Sequence, residues 1–135
     1  MAIQLSIAVR NARLDAIETA IGASAVLKIR TGAAPANCAA ADSGTVLATV
    51  NLPSDWMAAA VAGQKVLAGS WQDASADAAG TAAHFRLYAT DGTTCHLQGT
   101  LTATAGGGDM TVDNTNFAAG QAFSVTAFSL TDANA

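Results

Sequence analysis

The chain has 135 residues, the length of one domain, with ten acidic and six basic side chains and a net charge of −4. Charged residues make up only 12% of it, and six scattered bases cannot build the basic face that a nucleic-acid or membrane-surface binder requires. Alanine supplies much of the 51% hydrophobic fraction and aromatics only 5%, a composition suited to short strands, tight turns and a thin core.

The chain opens with its clearest helical pattern, over Ile3 to Ile21. Ile3, Ile7, Arg10, Leu14, Ile17 and Ile21 fall at spacings of three and four, a narrow stripe of 3.5-residue period. Leu5 and Val9 widen it near the start, and Gly22 supplies a stop. Arg10 interrupts the stripe. Two readings stay open: a helix packed on its own domain with Arg10 reaching for water, or an arm that docks on another subunit through these six residues. The expected organisation is a helical arm over 1–22 and a β domain over 23–135. No basic segment precedes the first apolar residues, so no signal peptide is expected, and no apolar run approaches the roughly 20 residues of a membrane span.

After Gly22 the periodicity changes to two. "SAVLKIRTG" alternates, with Leu27 and Ile29 on one face and Val26, Lys28 and Arg30 on the other. "GAAPANCAAADSG" reads as a connector with room for one helical turn after Asn37. "TVLATVNLP" is a strand closed by Pro53, with Val46, Ala48, Val50 and Leu52 on one face. "KVLAGSWQD", "HFRLYA", "CHLQGTLTA", "DMTVDN" and "AFSVTAFSLT" complete the set, with "SADAAGT" as a loop. In the last strand Phe123, Val125 and Ala127 share one phase while Phe128 and Leu130 follow the other, which predicts a bulge near Ala127. Short strands with turn signals between them predict an antiparallel β-sandwich, jelly-roll-like, preceded by one helix. Trp56 and Trp71 are its expected core anchors.

The stretch "YATDGTTCHLQGT" carries an adjacent cysteine and histidine. A three-residue loop, Thr90-Asp91-Gly92, pairs Leu87 with Cys95 and Phe85 with Leu97, and puts Gly92 at a left-handed position. That register turns Cys95 into the core and His96 outward, opposite Arg86. Adjacent strand residues face opposite sides, so Cys95 and His96 cannot share a metal. His84 and His96 would share the outer face, but two histidines with no carboxylate or thiolate beside them make a poor zinc site. The outer face, with Arg86, Tyr88 and His96, is a candidate contact surface for a partner or a sugar. Cys38 and Cys95 are expected as reduced thiols.

The remaining motifs carry little chemistry. "AGGGDM" lacks the Lys-Ser/Thr pair and the helix of a phosphate loop, and reads as a hairpin turn. The loop aspartates suit turns rather than a calcium site. Glu18 is the single glutamate, and no nucleophile elbow or zinc-protease motif occurs. Neither a catalytic residue, a cofactor nor a metal is assigned, and the chain is expected not to be an enzyme.

The runs "SIAVRNARLDAIETAIGASAVLKIRTGAAPANCAAADSGTVLATVNLPSDW", "GSWQDASADAAGTAAHFRLYATDGTTCHLQGTLT" and "DMTVDNTNFAAGQAFSVTAFSLTDANA" resemble a family of small structural proteins of tailed-bacteriophage virions. The resemblance spans nearly the whole chain and brings no catalytic motif with it. It implies a virion component assembled in the host cytoplasm, with other virion proteins as partners (the major capsid protein, or neck and portal proteins), self-association, and no nucleic-acid or membrane partner. The expected role is capsid decoration or cement; the alternative is a neck- or fibre-associated module that recognises a host-surface sugar.

Overall fold

A computed structural model describes residues 2–133; residues 1, 134 and 135, the ends of the two expected segments, lie outside the described residues. The chain is mainly β with one N-terminal helix. Helix α1 spans Ile7–Ile21 and starts four residues later than predicted. Ser6 is the reason: its extended backbone precedes the first turn, and its Oγ accepts the Val9 N–H at 3.3 Å. A capping hydroxyl satisfies a donor that the helix cannot, and so fixes the boundary there. Gly22, at φ +95°, ends the helix as expected, its N–H donating to the Glu18 carbonyl.

Ten strands follow: β1 Val26–Thr31, β2 Val46–Asn51, β3 Gln64–Val66, β4 Trp71–Asp73, β5 Gly80–Tyr88, β6 Cys95–Ala103, β7 Met110–Val112, β8 Asn116–Phe117, β9 Phe123–Val125 and β10 Ser129–Thr131. The main sheet has the order β2-β1-β5-β6-β7, with β8 paired to the start of β5. Two short ribbons, β10-β3 and β4-β9, complete the structure. On β1 the alternation holds as read: Leu27 and Ile29 meet Leu87 and Phe85 on the core face, while Lys28 and Arg30 meet Arg86 and His84 on the other. Ala48 and Val50 join the core face from β2. Trp56, Trp71 and Phe128 form the opposing side. Phe128 lies 5.6 Å from Trp71 and edge-on to Phe85 at 5.7 Å, centroid to centroid. Each large side chain buried this way contributes about 1.5–3 kcal/mol, so the three aromatics are major anchors of a thin core.

Four expectations need correction. "KVLAGSWQD" is two strands, β3 and β4, that pair with different partners. "AFSVTAFSLT" likewise divides into β9 and β10 rather than bulging at Ala127. The phase slip marks a break that lets Phe128 turn into the core between two ribbons. β8 was not expected. β6 and β7 are parallel, with Leu101 beside Met110, so the sheet is not wholly antiparallel. The expected hairpin at Gly106–Gly108 is therefore a tight return between parallel neighbours. It passes so close to β6 that a Cβ on Gly106 would lie 2.7 Å from the Thr102 side chain.

The C-terminal part of α1 packs on the β core. Leu14 and Ile21 are buried and Ile17 packs beside them. Trp56 Nε1 donates to the Gly22 carbonyl at 2.9 Å. Lys65, with 2% of its side chain exposed, bonds Asp15 at 2.7 Å and Glu18 at 2.9 Å. Those carboxylates also accept the Ala60 and Met57 N–H groups, and Asn11 accepts that of Gly63. At the other flank Arg10 Nε donates to the Asp132 carbonyl, and Arg13 pairs with the Asp132 side chain. Arg10 is thus tied to the domain rather than reaching for water.

Candidate functional site

Two places carry the chemistry of this chain: a buried polar cluster under the connector, and the uncovered start of the helix. The cluster lies on the outer face of β1 and β5. Alternation puts Lys28, Arg30, His84, Arg86 and Tyr88 there, and sequence reasoning left them facing solvent. The connector, residues 32–45, instead lies across them. Arg86 is 1% exposed and donates to the carbonyls of Asn37, Cys38 and Ala40 and to the Asp42 carboxylate. Arg30 pairs with the other Asp42 oxygen at 3.0 Å, and Tyr88 donates its hydroxyl to Asp42 at 2.6 Å. Lys28 sits over the Tyr88 ring at 5.1 Å. His84 Nδ1 is 2.7 Å from the Gly32 carbonyl, and Gln98 donates to the Pro35 carbonyl at 2.6 Å. Asn37 caps the single turn expected after it, its Oδ1 accepting the Ala39 and Ala40 N–H groups.

The electrostatics follow from this packing. Burial alone would push the Asp42 carboxyl up, but the Tyr88 hydroxyl, Arg86 and Arg30 outweigh it and hold the group below the usual carboxylate range. Burial and the bond to Asp42 push Tyr88 up to about 12. Burial works against the Arg86 charge as well, and its bond to Asp42 leaves the net shift upward. The cluster therefore rests as charged arginines, a charged Asp42 and a neutral phenol. Apart from Arg30 Nε, Arg86 Nε, His84 Nε2 and Gln98 Oε1, which are buried without a partner, its donors and acceptors are turned on one another and on the connector backbone, which makes it a fastening.

The β5–β6 turn explains the cysteines. Gly92 has φ +70°, as predicted, but the loop is longer than three residues. The Ala89 N–H donates to Thr94 O, and Asp91 accepts the Thr94 hydroxyl and the N–H groups of Thr94 and Thr93, which holds its carboxyl far below the usual range. Leu87 consequently pairs with Leu97 and Phe85 with Gly99, a two-residue slide from the expected register. The ladder then slips so that Tyr88 faces Cys95 and His96 is the extra residue. One extra residue exchanges the two faces of a strand. Cys95 therefore leaves the core face and joins the connector side, where it lines one cleft with Cys38. Sequence spacing gives no hint of this placement, because the bulge that creates it has no glycine signal.

The expected contact residues divide. Of the outer face only His96 is exposed; Arg86 and Tyr88 are buried. His84 is buried too, so the two histidines do not share a surface. Among the described residues no group of three His, Cys, Asp or Glu side chains could hold a metal ion. Along the helix stripe, Leu14, Ile17 and Ile21 face the domain. Ile3 is 84% exposed and Ile7 55%, with Val9 beside them at 46%. Val61, just before β3, and Val66, at its end, are also exposed. A Cβ on Gly63 would lie 2.0 Å from the Arg10 guanidinium. The turn that follows Val61 therefore packs against Arg10 of the helix. Among the described residues no helix is long and apolar enough to cross a membrane. Comparison with protein-family models, curated proteins and solved structures returns no match.

Proposed function

We propose that the chain is a non-enzymatic structural component of a tailed-phage virion, a decoration or cement protein of the capsid. Its β-rich fold suits a sandwich of the jelly-roll kind, the main sheet on one side and the two ribbons on the other. Its partners are the major capsid protein and further copies of itself, joined during assembly in the host cytoplasm. The carrying observation is that the aliphatic side chains Ile3, Ile7 and Val9 at the start of the chain are uncovered, as is Val61 before β3. Exposed aliphatic side chains close in sequence suit a contact surface, and the docked remainder of α1 holds the helix start in place. The rival, a neck- or fibre-associated module that binds a host-surface sugar, loses most of the outer face proposed for it, because Arg86 and Tyr88 are buried.

Counting copies per purified particle by quantitative mass spectrometry separates the placements. A copy number on the scale of the major capsid protein supports decoration. A number on the scale of a neck ring or fibre set moves the protein to the rival site, and absence from particles overturns the proposal.

A further inference from the structure

We propose that Cys38 and Cys95 form a reversible intramolecular disulfide that fastens the connector to the start of β6 when the protein meets a small-molecule disulfide oxidant. The inference does not depend on the virion reading. The two thiols are free, and they line the same cleft. Both are half-buried, and they line one cleft together with Asp42, Thr93 and Thr94, so an oxidant can reach them without unfolding the chain. Each is also held in place. The carbonyls of Asn37, Cys38 and Ala40 all accept from Arg86, which fixes the turn carrying Cys38. Cys95 is set by its pairing with Tyr88 and by the contact of its sulfur with the Leu97 carbonyl at 3.6 Å. Burial and the neighbouring Cys38 thiol push the Cys95 thiol up to about 11, which favours the dithiol at neutral pH and slows its oxidation, since the thiolate is the nucleophile.

The chemistry is thiol–disulfide exchange. One thiolate attacks a sulfur of the oxidant, forming a mixed disulfide and releasing one oxidant thiol. The second cysteine then attacks the protein-side sulfur of that mixed disulfide. The Cys38–Cys95 bond forms, the second oxidant thiol leaves, and the two protons from the cysteines end on the two released thiols. Two electrons pass from the protein to the oxidant. The new bond closes a long loop containing β2 to β5, the kind of cross-link that most restricts the unfolded chain.

The test uses the native full chain and oxidised glutathione, read by intact mass, peptide mapping and thermal melting. The expected product is lighter by two hydrogen atoms, shows no free thiol after denaturation, and yields a Cys38–Cys95 linked peptide. Its melting temperature exceeds that of the reduced chain by about 5–15 °C. Cys38→Ser and Cys95→Ser should each end with one bound glutathione and no such rise, because no second thiol resolves the adduct. Wild-type chain that keeps both thiols, retains glutathione as its final state, or links to a second chain overturns the proposal. A Cys38–Cys95 bond that lowers the melting temperature overturns the fastening role.

Discussion

Two stretches lie on the β core without belonging to its sheets, helix α1 and the connector, and each is held by a cation with almost no exposure. Lys65 holds the helix, and Arg86, helped by Arg30, holds the connector. The difference lies in what each cation must do. α1 arrives with its shape already made by its own hydrogen bonds, so a compact ammonium meeting two carboxylates can pin it, alongside the buried Leu14 and Ile21. The connector has no ladder of its own. The planar guanidinium of Arg86, with several fixed donors, bonds three of its carbonyls as well as Asp42 and so dictates its path. A point charge can pin a rigid element; an irregular one needs a template.

The largest effect expected from this contrast is at Arg86. Arg86→Ala strands three carbonyls and leaves Asp42 with only Arg30 and Tyr88, and should destabilise the chain by about 3–4 kcal/mol in chemical denaturation. Arg86→Lys should recover less than half of that, since an ammonium cannot reproduce the fork. Full rescue by lysine would break the comparison.

Alkali acts on both fastenings. Tyr88 titrates higher folded than unfolded, so its contribution is complete below its unfolded value and disappears as pH rises through about 12. Lys65 has the same sign: burial opposes its charge, but the bonds to Asp15 and Glu18 raise its pKa overall, and that contribution also fades as pH rises. The urea midpoint should therefore be flat to about pH 9 and then fall. Tyr88→Phe should make the fall shallower, and a midpoint unchanged into strong alkali would contradict the assignment.

Lys65→Met comes next, at about 1–2 kcal/mol. Its cost is smaller because Asp15, 46% exposed, can turn to water when the ammonium is gone. A loss equal to that of Arg86→Ala would show the helix to be as dependent on its cation as the connector. Gly63→Ala should cost about 1 kcal/mol, since it strains a residue at φ +75° and pushes Arg10 aside. Hydrogen exchange should then speed up in the first turns of α1 and leave the connector untouched.

The sequence was more informative about the helix than about the connector. The apolar stripe from Ile7 to Ile21 is periodic, and Gly22 is a plain stop signal. The faces of β1 were equally readable from Leu27 and Ile29. The outer face of β1 and β5 was misread because alternation separates polar from apolar residues but does not say what covers the polar side. An alanine-rich connector gives no periodic sign that it folds down, and Asp42 looked like one more loop aspartate. Cys95 was placed on the wrong face because one bulged residue, His96, exchanges the faces. The parallel return of β7 was hidden because Gly106–Gly108 suits any tight turn. Of the proposed contact set, the split of the stripe into a docked half and an uncovered start depends on Ser6, whose capping role was not read from the sequence.

That split is also where function can be tested with the least disturbance of the fold. The double variant Ile3→Asp, Ile7→Asp places charges on side chains already 84% and 55% exposed, so its melting temperature should match wild type. Leu14→Asp, at a site 3% exposed, should unfold the chain and serves as the contrasting control. The deciding measurement is co-sedimentation of the folded double variant with purified particles lacking the native protein. The account predicts that it stays in the supernatant while wild type pellets with the particles. A folded double variant that binds particles as tightly as wild type would contradict the assembly role of the helix start.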